Sequence, residues 1–222
     1  MGRSVVIAMI LAAGRGKRLR PLTDGVPKAL IEVRGRSLLE RHLDRLRDAG
    51  INDVVINLGW LGEKIVERVG SGSRYGLNIV YSPEGDDILE TGGGIFRALP
   101  MLGQDSFLVA NADMYTDMSV PNIVLPAAEL GHLVLVPTPD YRETGDFDLQ
   151  DGLVRNGETR SLTFSGMAIY RPEFFAGCEA GRFPLAPMLR DAADAGQLSG
   201  SLYEGLWADV GTPQRLDAVN DS

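Results

Sequence analysis

Cysteine and histidine are almost missing from this chain of 222 residues, which has one cysteine, Cys178, and two histidines, His42 and His132. A single cysteine excludes an internal disulfide framework, and these residues are too few for a zinc site of the usual Cys/His kind. The G-x-S-x-G motif of serine hydrolases is also missing. Any chemistry must therefore use carboxylates, cations and backbone amides. Phosphoryl or nucleotidyl transfer suits those groups, because it needs charge stabilisation more than a covalent nucleophile.

Long apolar runs and excess positive charge are missing as well. No run approaches the roughly 20 residues that cross a bilayer, and the N-terminus lacks the length and the cleavage pattern of a signal peptide. The net charge of -8 argues against nucleic-acid binding, and a single cysteine suits a reducing compartment. The sequence therefore predicts a cytoplasmic protein that binds neither membranes nor nucleic acids.

Positive charge is nevertheless concentrated in one segment, residues 11–28, which follows an apolar run. Gly14 and Gly16 free the backbone there to bend around a ligand. The cations of this segment are Arg15, Lys17, Arg18, Arg20 and Lys28. The segment does not match the dinucleotide fingerprint G-x-G-x-x-G, because the third glycine is missing. It does not match the Walker A motif either, because the G-K-[ST] ending is missing. The pattern favours a loop that binds a polyphosphate, and the alternative is a solvated basic loop.

Apolar runs alternate with helical patterns in the first half of the chain. The predicted buried strands are Val5–Leu11, Val54–Asn57, Ile79–Ser82, Phe107–Ala110 and Leu133–Val136. A capping box at Ser37 predicts a helix that ends at Gly50. A second helix is predicted over Leu61–Val69, and a third is predicted to begin after Gly92–Gly94 and to end at Pro100. This alternation predicts an α/β fold with a mixed, mostly parallel sheet flanked by helices.

The second half has a different pattern. Gln150-Asp151-Gly152 lies between two short apolar segments and predicts a hairpin. A strand is predicted over Thr163–Tyr170, a helix over Leu185–Ala195, and a last helix after Thr212. No linker or repeat divides the chain, so the sequence predicts a single domain over residues 1–222 with a small antiparallel elaboration.

Two carboxylates follow apolar segments and could hold a hard cation. Asp113 closes F-L-V-A-N-A-D, and Asp209 lies in L-W-A-D-V-G-T-P. Mg²⁺ usually takes one or two carboxylates together with phosphate oxygens, so the pair suits a magnesium site. The alternative for Asp113 is a cap on a turn, and the alternative for Asp209 is the N-cap of the last helix, although Thr212 and Pro213 already fit that role.

The basic segment resembles the signature of the sugar-phosphate nucleotidyltransferases, L-x-x-G-x-G-x-R-x-x-P-x-T-x-x-x-P-K. Its matching positions are Leu11, Gly14, Gly16, Arg18, Pro21, Thr23, Pro27 and Lys28. The resemblance implies a Rossmann-like, nucleotide-diphospho-sugar transferase fold of the GT-A-like kind. It also implies Mg²⁺ held by Asp113 and Asp209, with alanine in place of the family's glycine at position 112.

Further motifs are similar to one branch of that family, the uridylyltransferases that act on N-acetylmuramic acid 1-phosphate in cell-wall recycling. These motifs are S-P-E-G and L-E-T-G-G-G-I within residues 81–95, T-F-S-G at 163–166, and W-A-D-V-G-T at 207–212. From the residues alone, 81–94 is either a loop that reads a base or a plain loop before a helix. The resemblance implies transfer of a uridylyl group from UTP to the sugar 1-phosphate.

The resemblance also implies roles for individual residues. Arg18 and Lys28 are expected to act in catalysis. The nucleotide is expected to contact Leu11, Ala12, Ala13, Gly14, Gly16, Pro83, Gly85 and Asn111, and the sugar is expected to contact Glu90, Thr91, Gly145, Asp146, Glu158 and Gly166. Residues 1–136 would then mainly bind the nucleotide, and residues 137–222 mainly the sugar phosphate.

One departure from the family concerns the lysine that many relatives place on the sugar phosphate. Many relatives carry it in a Glu-Lys-Pro motif. This chain has no lysine after Lys64, so Glu158 is expected to stand where the family has the glutamate of that motif, and Arg155 or Arg160 is expected to supply the charge. Two other functions stay open: a nucleotidyltransferase for mannose 1-phosphate or glucose 1-phosphate, and a non-catalytic subunit that senses nucleotide sugars. A monomer or a simple homodimer is expected.

Overall fold

A computed structural model describes residues 7–85, 89–120 and 124–221. Its strands are β1 (Ile7–Leu11), β2 (Glu32–Val33), β3 (Arg36–Ser37), β4 (Asp53–Leu58), β5 (Asn78–Pro83), β6 (Phe107–Asn111), β7 (Met114–Thr116), β8 (Gly131–Pro137), β9 (Asp148–Gln150), β10 (Leu153–Arg155), β11 (Leu162–Tyr170), β12 (Leu198–Leu202) and β13 (Trp207–Asp209). Its helices are α1 (Leu38–Asp48), α2 (Gly62–Val69), α3 (Glu90–Leu102), α4 (Ala186–Asp194) and α5 (Pro213–Asp221). None of the helices in these three ranges is long and apolar enough to cross a membrane.

Nine strands form one sheet in the order β5-β4-β1-β6-β11-β8-β12-β10-β9. Seven of the nine run in one direction, because only β11 and β10 are antiparallel to both of their neighbours. The α/β fold with a mixed, mostly parallel sheet is therefore confirmed. Two short antiparallel ladders, β13-β7 and β2-β3, lie outside the main sheet.

The first strand lies in the middle of the parallel part. Met9 of β1 faces Val55 of β4 on one side and Val109 of β6 on the other. Ala8, Met9 and Ile10 are all fully buried because separate apolar clusters cover the two faces of the sheet. This is why β1 is a continuous apolar run and not an alternating one. The predicted strand began at Val5, and its first two residues lie outside the described ranges.

The prediction for the first helix is confirmed. Ser37 is the N-cap of α1, and its side chain accepts a hydrogen bond from the backbone N–H of Glu40. The Ser37 hydroxyl also donates to the Glu40 carboxylate, at 2.7 Å. Buried leucines at helical spacing then pack one side of α1 against the sheet.

The prediction for the third helix is wrong at both ends. α3 begins at Glu90, so Gly92–Gly94 lie inside its first turns, and Pro100 also lies inside it. Glycine is required there by close neighbours: a Cβ on Gly93 would lie 2.2 Å from the carbonyl oxygen of Gly181. Tertiary contact thus outweighs the low helix propensity of glycine at these positions.

The antiparallel part of the second half follows its pattern. β9 and β10 form the predicted hairpin, with Asp151 and Gly152 at φ 52° and 76°, as a tight I′-type turn requires. The hairpin joins the main sheet through β12, which pairs antiparallel with β10 and parallel with β8. Strand β12 was not predicted, because its sequence L-S-G-S-L has little apolar content.

Candidate active site

The basic segment leaves the carboxyl end of β1 as a series of tight turns with three one-turn helices, at Lys17–Leu19, Leu22–Asp24 and Lys28–Leu30. Thr23 is buried and donates from its hydroxyl to the carbonyl of Gly16, at 2.9 Å. Gly16 has φ 60°, and a Cβ there would lie 2.8 Å from Thr23 Cγ2. Gly16 and Thr23 therefore shape the loop, while Arg15, Lys17, Arg18 and Arg20 are exposed on its surface.

A first cavity of about 210 Å³ lies between this segment and the carboxyl ends of β4 and β6. It is lined by Leu11, Ala12, Ala13, Gly14, Lys28, Ala29, Asn57, Glu84, Glu90, Thr91, Asn111, Ala112 and Asp113. Every one of these residues comes from the range 11–113. Ligands of open α/β sheets bind at this edge, so the first cavity is in the expected place.

Two residues of the first cavity, Asn57 and Glu84, were missed by the sequence analysis. Asn57 is buried at the end of β4, and its Oδ1 accepts from the backbone N–H of Ala12, at 2.6 Å. Its Nδ2 donates to Glu84 Oε1, at 2.6 Å, and Glu84 Oε2 accepts from the backbone N–H of Leu89, at 2.8 Å. This chain of bonds holds the start of the basic loop to the segment before α3. A polar residue ending an apolar strand was the available signal for Asn57.

Asp113 and Asp209 are brought together by the short ladder of β7 and β13. Asp209 faces Met114 in this ladder, and the backbone N–H of Val210 donates to the carbonyl of Asp113, at 3.0 Å. Lys28 Nζ donates to Asp113 Oδ2 and lies 3.8 Å from Asp209 Oδ1. Two carboxylates that are far apart in sequence therefore share one lysine.

Asp209 is held from its other side by Arg215. The guanidinium Nη1 of Arg215, in the first turn of α5, donates to Asp209 Oδ2 at 2.7 Å. The Arg215 guanidinium also lies over the ring of Tyr141, 3.7 Å from the ring centroid. The alternative role of Asp209 as a helix cap is not seen, because the backbone N–H of Arg215 donates to Thr212 Oγ1, at 3.4 Å.

A second, larger cavity of about 420 Å³ adjoins the first and shares Asn111 and Asp113 with it. It is lined by Arg18, Asn111, Asp113, Met114, Tyr141, Arg142, Thr163, Phe164, Ser165, Trp207, Asp209 and Arg215. Three guanidinium groups thus face two carboxylates across a polar space. Aromatic side chains complete the wall, and the indole N–H of Trp207 donates to the carbonyl of Ser165, at 2.9 Å.

Several predicted binding residues line neither of these two cavities. Pro83, Gly85 and Glu158 are exposed to solvent and lie outside the linings of both cavities. Gly145 and Asp146 lie behind the wall of the second cavity, where Asp146 accepts two hydrogen bonds from Arg142, at 2.7 and 3.1 Å.

Gly166 and the two arginines expected to replace the lysine also lie away from the cavity surfaces. Gly166, at φ 90°, packs against Asn111, whose Nδ2 would lie 2.7 Å from a Cβ on the glycine. Arg155 and Arg160 line neither cavity. Asp146 and Gly166 therefore do not line the second cavity, but each contacts a residue that does: Asp146 contacts Arg142, and Gly166 contacts Asn111.

Both histidines have hydrogen-bonding partners inside the protein. Nε2 of His42 contacts the carbonyl of Met114, at 3.1 Å, and burial lowers the pKa of His42 to about 4. His132 lies between the hydroxyls of Ser199 and Ser201, at 2.9 and 3.0 Å, and burial lowers its pKa to about 4 as well. Both imidazoles are therefore neutral at physiological pH, and neither lines the two cavities.

This arrangement suits the joining of two anionic substrates. Each cavity can hold one ligand, and the two ligands would meet at Asn111 and Asp113. Cations from the basic loop and from α5 surround that point, where they can neutralise phosphate charge. No cluster of three or more histidine, cysteine, aspartate or glutamate side chains suited to a metal occurs within residues 7–85, 89–120 and 124–221. Any metal would therefore rely on few carboxylates and on its substrates.

Comparison with known proteins agrees with this chemistry. Residues 8–145 match the family model described as the MobA-like NTP transferase domain. The chain is 50% identical over 219 residues to an N-acetylmuramate alpha-1-phosphate uridylyltransferase from Neisseria meningitidis serogroup B, covering 94% of each chain. It is 38% identical over 230 residues to a protein of the same name from Caulobacter vibrioides, covering 96% of this chain and 95% of that one.

A solved structure shares the fold. HddC from Yersinia pseudotuberculosis, complexed with GMP-PN, superposes with a TM-score of 0.78 at 20% identity, covering 98% of this chain and 99% of that one. The resemblance carried by the basic segment is confirmed by the family match and by the two relatives. The chain belongs to the family of MobA-like NTP transferases and is a nucleotidyltransferase.

Proposed function

We propose that this protein transfers the uridylyl group of UTP to N-acetylmuramic acid 1-phosphate, giving UDP-N-acetylmuramic acid and pyrophosphate. The observation that carries the proposal is the pairing of Asp113 with Asp209 beside Lys28, where two polar cavities meet. The identity of the substrates is supported by two relatives, 50% and 38% identical over nearly the whole chain, that carry the name of this activity.

We assign UTP to the first cavity and the sugar phosphate to the second. The first cavity is lined only by residues from 11 to 113, which include Gly14 and Asn111. The second cavity adds residues from 141 to 215 to a few from the first half. This distribution supports a division in which residues 1–136 mainly bind the nucleotide and residues 137–222 mainly bind the sugar phosphate.

The assignment changes the emphasis among the predicted contacts. Glu90 and Thr91 line the first cavity, so we place them at the end of the nucleotide nearest the sugar. Tyr141 and Trp207 line the second cavity and give it an aromatic wall for a sugar, although Arg215 already covers one face of the Tyr141 ring. Asp146 supports this wall indirectly through Arg142.

The residues present fit a bound Mg²⁺ ion. Asp209 Oδ1 is buried and has no hydrogen-bond partner among the described residues, and Asp113 lies on the same lysine. A buried oxygen without a donor is a favourable ligand for a hard cation, and two carboxylates suffice when phosphates supply further ligands. Asp113 and Asp209 would hold the ion, and bound there it would reduce the repulsion between the two substrate phosphates.

The reaction needs no general base. A phosphate oxygen of the sugar 1-phosphate is ionised at neutral pH and attacks the α-phosphorus of UTP, while the bond to the β-phosphate oxygen breaks and pyrophosphate leaves. This agrees with the structural roles of both histidines. Lys28 would stabilise charge around the α-phosphate, and the amides of Gly14 and Gly16 would cradle the outer phosphates.

Arg18 would stabilise the departing pyrophosphate. Its guanidinium lies close to Asp209, because both would crowd a Cβ on Gly211, at 3.1 Å for Arg18 Nη2 and 2.9 Å for Asp209 Oδ1. Arg18 lines the second cavity and belongs to the basic loop that borders the first. Arg18 is therefore close to the boundary of the two cavities, where the sugar phosphate would attack the α-phosphorus of UTP.

The proposed substrates also suggest a cellular role. UTP is a cytoplasmic nucleotide, and one cysteine in the whole chain suits a reducing compartment. We therefore place the enzyme in the cytoplasm, in the recycling of peptidoglycan sugars. A monomer or a simple homodimer is our expectation, which light scattering would test.

Pyrophosphate release tests the proposed function. We expect release with UTP and N-acetylmuramic acid 1-phosphate, and little release with GTP and mannose 1-phosphate or with UTP or dTTP and glucose 1-phosphate. Turnover restricted to one of the other pairs would replace the proposed substrates. Binding of a nucleotide sugar without turnover of any pair would favour the sensing subunit.

A further inference from the structure

The second cavity needs a cation for the sugar phosphate, and the chain offers no lysine after Lys64. The arginines that follow position 137 are Arg142, Arg155, Arg160, Arg171, Arg182, Arg190 and Arg215. Of these seven, Arg142 and Arg215 line the second cavity; the third arginine of the lining, Arg18, belongs to the basic loop and is assigned to the departing pyrophosphate. The candidates expected from the sequence, Arg155 and Arg160, do not.

The guanidinium of Arg142 is already occupied by hydrogen bonds within the protein. It donates to both carboxylate oxygens of Asp146 and lies 3.4 Å from Thr163 Oγ1. A bidentate pair of this kind is strong and satisfies the edge of the guanidinium that a phosphate would use. The backbone N–H of Phe164 also donates to Asp146 Oδ2, at 2.9 Å, so the pair serves to fix the cavity wall.

Arg215 is differently placed. Within the described residues, its guanidinium makes one hydrogen bond, from Nη1 to Asp209, and its other N–H donors are available to a ligand. The ring of Tyr141, 3.7 Å from the guanidinium carbon, holds the guanidinium flat. An arginine held in this way loses little conformational freedom when it binds a phosphate through two parallel bonds.

Arg215 is also close to the place where the substrates meet. Asp209 separates it from Lys28, and Lys28 contacts Asp113 at the boundary of the two cavities. An attacking phosphate must lie at that boundary to reach the nucleotide. A phosphate there would have Lys28 on the nucleotide side and Arg215 on the sugar side.

We propose that Arg215 binds the phosphate of the sugar 1-phosphate, in place of the lysine that the chain lacks, and that Tyr141 keeps its guanidinium in position. The inference rests on the proposed function insofar as it assumes that the second cavity takes a sugar phosphate. It does not depend on which sugar that is.

Steady-state kinetics of Arg215→Gln with the folded, full-length protein test the proposal. We expect KM for the sugar 1-phosphate to rise by about 10- to 100-fold, since a hydrogen bond to a charged group contributes roughly 1.5–3 kcal/mol. KM for UTP should change less than about twofold. Arg215→Lys keeps the charge without the planar fork and should recover part of the loss. Arg155→Gln, outside both cavities, is the matched control and should behave as the unchanged protein.

A purely structural role for Arg215, as the support of Asp209, gives a different result. In that case Arg215→Gln would raise the Mg²⁺ concentration for half-maximal rate and lower kcat, with KM for the sugar phosphate unchanged, and the proposal would be overturned. Should Arg215→Gln fail to fold, Arg215→Lys decides, because an unchanged KM for the sugar phosphate in that variant would also contradict the proposal.

The outcome is separable from that of the proposed function. The unchanged protein is first assayed with each sugar 1-phosphate, and the best of them is used for the variants. If N-acetylmuramic acid 1-phosphate fails and another sugar phosphate succeeds, the proposed function falls while the assignment of Arg215 is still tested. Normal KM values for that sugar in Arg215→Gln would remove the assignment alone.

Discussion

The side chain of Asn57 donates from Nδ2 to Glu84 Oε1 at 2.6 Å and thereby joins the carboxyl ends of β4 and β5 behind the first cavity. The same amide accepts from Ala12, so one buried side chain positions both the basic loop and the turn before α3. Because Asn57 lines the cavity assigned to UTP, this bond connects stability with nucleotide binding.

Asn57→Ala should therefore lower the stability of the fold and weaken the binding of UTP. It leaves the buried N–H of Ala12 without a partner, at a cost of about 1–3 kcal/mol, and it removes the bond to Glu84 Oε1, while Glu84 Oε2 keeps its bond from Leu89. We expect a lower free energy of unfolding in urea and a KM for UTP raised about tenfold. Asn78→Ala is the control, because Asn78 is exposed at the other end of β5 and its side chain is hydrogen-bonded only to Asp53 among the described residues. Equal effects of the two substitutions would contradict the role of Asn57.

Asp113→Asn and Asp209→Asn each remove one of the two paired carboxylate charges without changing the size of the side chain. We expect turnover to fall by about 10²–10³ in each variant, as for the loss of a group that stabilises transition-state charge. The melting temperature should change little, because both carboxylates are partly exposed and ion pairs at such positions contribute little to stability. Asp48→Asn, on the exposed end of α1, is the control. Near-normal turnover in either site variant would remove that residue from the proposed magnesium site.

Arg18→Ala should also remove most turnover, by about 10²-fold, while leaving the fold intact. Arg18 is exposed and its side chain reaches the second cavity, so its loss opens no hole in the core. Circular dichroism and pyrophosphate release measure the two effects. Arg20→Ala is the control from the same loop, because Arg20 pairs with exposed Asp24 and lines neither cavity. Unchanged turnover in Arg18→Ala would contradict its assignment.

Gly94→Ala tests the close packing at the start of α3. Alanine normally stabilises a helix interior by about 1 kcal/mol relative to glycine. Here a Cβ would lie 2.6 Å from Glu84 Oε1 and 3.1 Å from Asn57 Nδ2, so we expect a loss of about 1–3 kcal/mol in the free energy of unfolding. Gly25→Ala is the control, since nothing lies within 4 Å of a Cβ there. A stabilised Gly94→Ala variant would show that the network moves freely.

The buried histidines predict how stability depends on pH. Burial lowers the pKa of His42 and of His132 from 6.5 to about 4, so between these values the unfolded chain binds protons that the folded chain does not. The contribution of the two histidines to the free energy of unfolding is therefore full above pH 6.5 and is lost as the pH falls toward 4. We expect about 1–2 kcal/mol of loss per histidine between pH 7 and pH 5, measured by urea denaturation.

His132→Gln isolates one of these contributions. The variant keeps hydrogen bonding near Ser199 but cannot take up a proton, so the loss between pH 7 and pH 5 should shrink by about half. Glu40 does not interfere: burial raises its pKa, but hydrogen bonds from Arg68 and others outweigh this and lower it to about 2, so it titrates at more acidic pH. An unchanged pH dependence in His132→Gln would show that His132 does not titrate as described.

Local patterns in the sequence predicted much of the fold. β1, β4 and α1 follow from apolar runs and from the cap at Ser37, which act over a few residues. The start of α3 could not be predicted in this way. Gly92–Gly94 are poor helix formers. Gly92 and Gly93 are required by close contact with residues 181–183, and Gly94 by close contact with Glu84 and Asn57, all of which lie outside the local sequence of the helix.

In the candidate site too, features within local motifs could be predicted from the sequence, and features that depend on tertiary contacts could not. The basic loop and both carboxylates were identified from their motifs and from the family resemblance, and the structure places them together. Tyr141 and Arg215 were missed, because neither lies in a recognisable motif and their stacking depends on the tertiary fold. The structure places the expected sugar contacts Gly145 and Glu158 away from both cavity surfaces.

The ladder between β7 and β13 has a consequence for synthesis on the ribosome. Strand β7 is translated before five strands of the main sheet, but its partner Trp207–Asp209 follows all nine of them in the chain. The parallel strands can pair before then, since domains fold as their residues emerge. Asp209 cannot join Asp113 until β13 is available. If both carboxylates act as proposed, we expect a nascent chain that has already formed the first cavity to be inactive until β13 has left the ribosome.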